Sequence, residues 1–252
     1  MLKIRVMPTL LFKELGLVKG IGFHSWRRTG SALQTVRVYN MREVDEIVFL
    51  DITATPRGTP PDFEQIDELA DECFMPMTVG GGIRNVEDIR QLLAVGADKV
   101  SINTAAVNGP EIIREAASQF GSQCVVVSID FTQVSSERWV VCSHCGRQKT
   151  ELDPVEWAKQ VETLGAGEIL LTSVERDGTM EGYDVELTRR VTEAVSIPVI
   201  ASGGAGNYQH MAEVLRDGKA SAVAAASIYH FTHQTPKEAK LYLKEQGFPM
   251  RL

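Results

Sequence analysis

The run Val127–Phe131, "VSIDF", ends an apolar stretch on a carboxylate, Asp130. Near the start of the chain, Thr9–Phe12, "TLLF", lies over its last four residues, "SIDF". That alignment sets Leu11 on Asp130, an offset of 119 positions (11 to 130). A carboxylate at the end of a buried strand can move a proton or accept a hydrogen bond, and a leucine can do neither. Glycine clusters recur in the same way. Gly80–Ile83 reads "GGGI" and Ser202–Ala205 reads "SGGA", 122 positions apart (81 to 203). Glycine lets backbone N–H groups approach an anion closely. Gly81, Gly82, Asn103 and Thr104 make one such set. Asp177, Gly178, Gly203, Gly204, Ala226 and Ser227 make a second, with Thr172 beside them, and a short helix opening near Ser227 would add its dipole. The recurrence predicts an elongated phosphorylated small molecule with a phosphate at each end. Glycines that only permit tight turns are the simpler alternative for either cluster taken alone.

The four cysteines are too few for a disulfide framework in a chain of this size. Cys142 and Cys145 flank His144 in "CSHC", which has the spacing of half a zinc site. A structural site needs four ligands, and no second CxxC exists. The simpler reading is a turn between two hairpin strands, "ERWVVC" and "RQKTEL". No metal or cofactor is expected.

These residues need strands to carry them, and the sequence supplies strands alternating with helices. "IRVMPTLLF" precedes "ALQTVRVYNMREV", "EIVFLDIT" precedes "PDFEQIDELADECF", and "MTVGGGI" precedes "NVEDIRQLLAVG". "DKVSINT" leads to "GPEIIREAASQFG", "CVVVSIDF" to "DPVEWAKQVETLG", and "EILLTSV" to "VELTRRVTEAVS". "PVIASGGA" with "NYQHMAEVLRDG" and "SAVAAAS" with "PKEAKLYLKEQG" complete eight units. Several helices open on a capping residue or proline and close on glycine. Continuous aliphatic strands between helices mean a parallel sheet covered on both faces. Eight units predict an α/β fold, a single (β/α)8 TIM barrel spanning residues 1–252, with its functional residues at the C-terminal ends of the strands. A doubly wound sheet is disfavoured because no GxGxxG follows the first strand. The repeated offsets predict two pseudo-symmetric halves, and the shift from 119 to 122 is assigned to an inserted "CSHC" hairpin after the fifth strand.

A net charge of −7 gives no electrostatic support to a nucleic-acid groove or an anionic membrane surface. The start, "MLKIRVMPTLLFK", reads as a strand because Arg5 interrupts its apolar run and no small-residue cleavage site follows. A cytoplasmic location is expected.

The runs "VFLDITA", "TVGGGI", "GADKVSINTAA", "GAGEILLTS", "RDGT" and "IASGGAG" resemble the cyclase subunit of imidazole glycerol phosphate synthase, along nearly the whole chain. The resemblance implies a barrel that receives ammonia from a separate glutaminase docked at its bottom and closes an imidazole ring, a lyase-type reaction of histidine biosynthesis. It also implies two catalytic aspartates. Asp130 matches the second, and the first falls on Leu11. Lys19 on the first loop and Asp51 after the second strand match further family positions in the substrate site. Arg5, Glu46, Lys99 and Glu168 match a ring that gates the ammonia entrance, and Asp98 matches a position implicated in signalling to the glutaminase. A kept conduit with a broken carboxylate pair resembles a sister clade found beside sugar amidation systems, as do "PTLLF", "LGLVKG" and "PDFEQIDELADECFMPM". There a glutaminase-like subunit and a cyclase-like subunit accompany an N-acetyl sugar amidotransferase of surface (lipopolysaccharide-type) polysaccharide synthesis. The resemblance therefore implies a coupling subunit, with a divergent cyclase as its alternative.

Overall fold

Valine, isoleucine and leucine runs, too short for helices and bounded by helix caps, form eight strands in the computed structural model, which describes residues 3–14 and 16–252. The strands are β1 (Arg5–Lys13), β2 (Ile47–Asp51), β3 (Met77–Gly80), β4 (Lys99–Ile102), β5 (Val125–Ser135), β6 (Glu168–Ser173), β7 (Val199–Ser202) and β8 (Ala222–Ala225). Each pairs in parallel with the next, and β8 pairs with β1 through Arg5↔Ala222 to Pro8↔Ala225, so the sheet closes. The fold is an α/β (β/α)8 barrel.

The covering helices are α1 (Ala32–Met41), α2 (Phe63–Ala70), α3 (Val86–Ala94), α4 (Glu111–Phe120), α5 (Pro154–Thr163), α6 (Val185–Ala194), α7 (Tyr208–Arg216) and α8 (Pro236–Glu245). Their starts are fixed by side chains that the sequence announces. Asp62, Asn85, Asp184 and Asn207 each accept a backbone N–H three residues on. Asp153, just ahead of Pro154, accepts the N–H groups of Val155 and Glu156, and Thr235 forms a reciprocal capping box with Glu238. Such a cap contributes about 1 kcal/mol, by satisfying N–H groups that the helix itself cannot.

Alternation along each strand divides the core in two. Leu10, Phe12, Phe49 and Val79 face the helices in one large apolar cluster. Met7, Val48, Val126, Leu170, Ile200, Ala222 and Ala224 form a smaller cluster inside the barrel. The barrel interior is thus packed rather than open.

Hairpins extend the sheet above the barrel in both halves, which corrects the expectation of an insertion in the second half alone. Gly16–Ile21 pairs antiparallel with the upper end of β1 and with His24–Gly30. Arg138–Ser143 pairs antiparallel with the upper end of β5 and with Gln148–Lys149. From Leu11 to its β2 neighbour Leu50 is 39 residues, and from Asp130 to its β6 neighbour Thr172 is 42. The change of offset therefore comes from a hairpin segment three residues longer, not from an extra element. The first hairpin went unread because its outer strand His24–Gly30 is polar apart from Trp26, has no fully buried residue, and so shows no period-two pattern.

Candidate functional site

The N-terminal end of the barrel carries a closed ring of charge. Arg5 opens β1, Lys99 opens β4, Glu168 opens β6, and Glu46 stands one residue before β2. Arg5 lies 2.7 Å from Glu46 and 3.1 Å from Glu168, and Lys99 lies 3.0 Å from Glu46 and 3.3 Å from Glu168. Each cation therefore touches both anions. Burial would lower the Arg5 pKa, but Glu168 and Glu46 outweigh it and the net shift is upward. Glu46 is the most buried member, and it also accepts the Thr78 hydroxyl at 2.9 Å. Asp98, beside Lys99, accepts the Met77 N–H at 2.8 Å.

Above the ring an apolar layer that includes Met7, Val48 and Leu170 fills the barrel, and polar side chains appear toward its C-terminal end. Thr9 and Ser101 hold buried hydroxyls without a partner among the described residues, and both line the cavity that opens at the C-terminal face. Leu11, Lys19, Asp51, Asp130, Thr172 and Asp177 line the same cavity. Asp130 accepts the Ser128 hydroxyl at 3.1 Å. Burial, joined by repulsion from Asp177 and opposed by the Ser128 hydrogen bond, lifts the Asp130 pKa to about 7. That value suits a group exchanging a proton near neutral pH. Asp51 is committed locally: its Oδ1 accepts from Thr53 N and Thr53 Oγ1, both at 2.7 Å, and from Ala54 N.

Lys19 is 1% exposed and pairs with Asp177 on the loop after β6. The Gly22 N–H donates to the Asp177 carbonyl at 2.8 Å, and a side chain on Gly178 would strike the Gly20 carbonyl. The first hairpin is thereby latched across the mouth, bringing Phe23 and Trp26 into its wall.

The two glycine sets differ in what surrounds them. In the first, the Gly82 N–H donates to Thr55 Oγ1 at 3.1 Å. Thr104 Oγ1 accepts the His144 N–H at 2.9 Å and contacts Asn103 Oδ1 at 3.3 Å. Asn103 Nδ2 donates to the carbonyls of Ser128 and Cys142. In the second, Gly203 and Gly204 both have positive φ and no acceptor for their N–H groups among the described residues. A helix, Ser227–Phe231, follows Ala226 as expected, and Ser227 Oγ is buried without a partner.

Cys142, His144 and Cys145 do not assemble as ligands. Cys142 is buried in the hairpin, His144 contacts the Ser143 hydroxyl, and Cys145 Sγ turns to the Ile52 carbonyl. Among the described residues no group of three or more His, Cys, Asp or Glu is placed to hold a metal ion. His144, Cys145 and Gly146 all have positive φ, so this segment is a tight turn, as the simpler reading had it.

Residues that sequence reasoning passed over include Phe23, Trp26, Arg176 and Thr55. Thr55 had a signal: the offset of 122 sets it on Asp177. No helix among the described residues is long and apolar enough to cross a membrane. A family model described as "Histidine biosynthesis protein" matches residues 5–235, from the first member of the charge ring to the start of α8.

Proposed function

The chain belongs to the histidine biosynthesis protein family, and on that premise we propose that this cyclase-like barrel is a coupling subunit for ammonia. In this reading a glutaminase-like subunit docks on the face bearing the charge ring, the ring opens, ammonia passes between the packed side chains of the barrel interior, and an amidotransferase receives it at the opposite mouth. The acceptor is an N-acetyl sugar of surface polysaccharide synthesis. The phosphate loops hold an effector or a phosphorylated ligand.

The observation that carries the reading is the contrast between the two ends of the barrel. The ring is complete and neutral, two cations against two anions, with the Thr9 and Ser101 hydroxyls free to meet a small neutral donor and acceptor above it. At the mouth, Asp130 has leucine where a paired carboxylate would complete acid–base chemistry. A positioned acid or base contributes about 10²–10⁴ in rate, so its loss cripples ring closure while leaving transport untouched.

A second reading, a divergent cyclase, is favoured by one feature: the Asp130 pKa of about 7. One experiment separates the two. Purified chain and the Leu11→Asp variant are assayed for cyclisation of the family's bis-phosphorylated aminoimidazole nucleotide with ammonium salt at alkaline pH. The coupling reading expects silence from the unmodified chain, and turnover close to that of a true cyclase would overturn it. Activity gained by Leu11→Asp would mean that one carboxylate was the missing part. Silence from both would place the rebuilt function at the ammonia acceptor.

A further inference from the structure

The turns of the two hairpins meet beside the mouth and help to enclose a second, outer groove, whose walls include Phe23, Trp26, Lys13, Arg57 and Arg147. Phe23, Trp26, Ile52 and Cys145 line both this groove and the mouth cavity, so they form the wall between the two. Neither Asp130 nor any glycine of the two clusters lines the outer groove. We propose that it is a binding site for a nucleoside diphosphate, with the base against Phe23 and Trp26 and the diphosphate against Lys13, Arg57 and Arg147.

The aromatic wall is built at a conformational cost. Gly22 and Phe23 have φ of 57° and 62° and make a two-residue turn between Ile21 and its partner His24. Such turns favour asparagine and glycine, and a bulky phenylalanine is strained there. The ring that this strain places is backed by the opposing turn: a side chain on Gly146 would come within 2.9 Å of Phe23 Cδ2. Trp26 is backed in the same way, since a side chain on Gly20 of the paired strand would come within 2.9 Å of Trp26 Cε3. Each ring rests on a residue without a side chain and stays only half-buried. A fixed, accessible aromatic surface is a platform on which any base can stack.

Charge supplies the other half. The chain is −7 overall, yet Lys13, Arg57 and Arg147 face a single carboxylate, Glu14, in this groove. Glu14 pairs with Arg57 at 2.8 Å, but both side chains are more than half exposed and the pair is weak in water. Lys13, half-buried at the end of β1, and Arg147 in the second turn have no carboxylate partner among the described residues. The local excess is two positive charges. One carboxylate would leave a cation unmatched, whereas a diphosphate meets both. Rings alone would suit a neutral sugar and cations alone an inorganic anion; the two together suit a nucleotide.

The groove draws on neither the charge ring nor Asp130, so this proposal stands or falls separately from ammonia coupling. Trp139 and Trp157 are buried at 5% and 2% exposure, which leaves Trp26 as the tryptophan a ligand can reach. Uridine diphosphate and adenosine diphosphate, titrated into the full chain, should quench tryptophan emission to saturation. Uridine and inorganic pyrophosphate should each bind at least about tenfold more weakly than the diphosphates. Equilibrium dialysis against radiolabelled uridine diphosphate then reads the variants, including those without the reporter. Trp26→Leu should weaken binding about tenfold, Arg147→Gln about fivefold, and Lys13→Gln with Arg147→Gln more than about twentyfold. Arg147 is exposed, so Arg147→Gln folds whatever becomes of Trp26→Leu. Pyrophosphate or uridine binding as tightly as the diphosphates would overturn the proposal. Binding untouched by the double substitution would place the nucleotide in the mouth cavity and overturn it too, as would no binding of either diphosphate.

Discussion

Leu11 holds in the first half of the barrel the place that Asp130 holds in the second. Leu11 stands opposite Leu50 on β2 and Val18 in the first hairpin. Asp130 stands opposite Thr172 on β6 and Cys142 in the second hairpin. The match is one of register in both directions, so the leucine is a replacement at an equivalent site rather than a displaced carboxylate. One side of the mouth is apolar, Leu11 beside Leu50, and the other is polar, Asp130 beside Ser128 and Thr172.

Leu11 is 7% exposed, so Leu11→Asp removes a packed side chain and buries a carboxylate. A stability loss of about 2–5 kcal/mol is expected from chemical denaturation at pH 7. Leu11→Asn should lose a similar amount and gain no cyclisation. Equal turnover from both variants would show that the effect is spatial and not protonic.

The Asp130 pKa of about 7, against an ordinary 3.8, makes stability depend on pH in a defined direction. Between those values the folded chain holds a proton that the unfolded chain has released, so stability falls as pH rises from about 4 to about 7. Asp130→Asn removes that dependence. Its advantage over the unmodified protein should grow across this window to at most about 4 kcal/mol and stay flat above it. Thermal melts of both proteins at pH 4, 5.5, 7 and 8.5 would measure it, and parallel curves would refute the assignment.

Glu46 touches Arg5, Lys99 and Thr78 together. Glu46→Ala leaves two cations facing one anion in a poorly hydrated ring, with an expected loss of about 3–5 kcal/mol. The Arg138–Glu151 pair, with side chains 62% and 95% exposed, offers the contrast. Glu151→Ala should change stability by less than about 1 kcal/mol. A urea titration of the two variants distinguishes a coupled ring from scattered strand-end charges.

Lys19→Met strands the buried Asp177 carboxylate. Burial already raises the Asp177 pKa, with Lys19 pulling the other way. Removing Lys19 should therefore destabilise the fold by about 3–5 kcal/mol at pH 7 and lift that pKa further. Lys19→Met combined with Asp177→Asn should recover most of the loss, since no charge is then left unpaired. Additive losses in this double-mutant cycle would show that the pair does not latch the hairpin.

The sequence by itself determined the barrel. Eight aliphatic runs, each followed by an amphipathic run with a cap such as Asp62, Asn85 or Asn207, leave a parallel closed sheet as the consistent arrangement, because helix caps and strand periods are local properties. It also put Arg5, Lys99 and Glu168 at strand starts and the glycine clusters at strand ends. Tertiary structure decided which of these meet. Arg5 reaches Glu168 across 163 positions and Lys19 reaches Asp177 across 158, contacts that exist only once the sheet has closed. The first hairpin was invisible for a related reason: its exposed outer strand has no buried face to write a pattern into the sequence. The unlike state of the two glycine sets was equally out of reach. Both read as glycine next to a polar residue, and only folding brings Thr55 to Gly82 and the His144 turn to Thr104 while leaving Ser227 without a partner. Hydrogen-bond satisfaction depends on who arrives in space, and residue order along the chain does not record it.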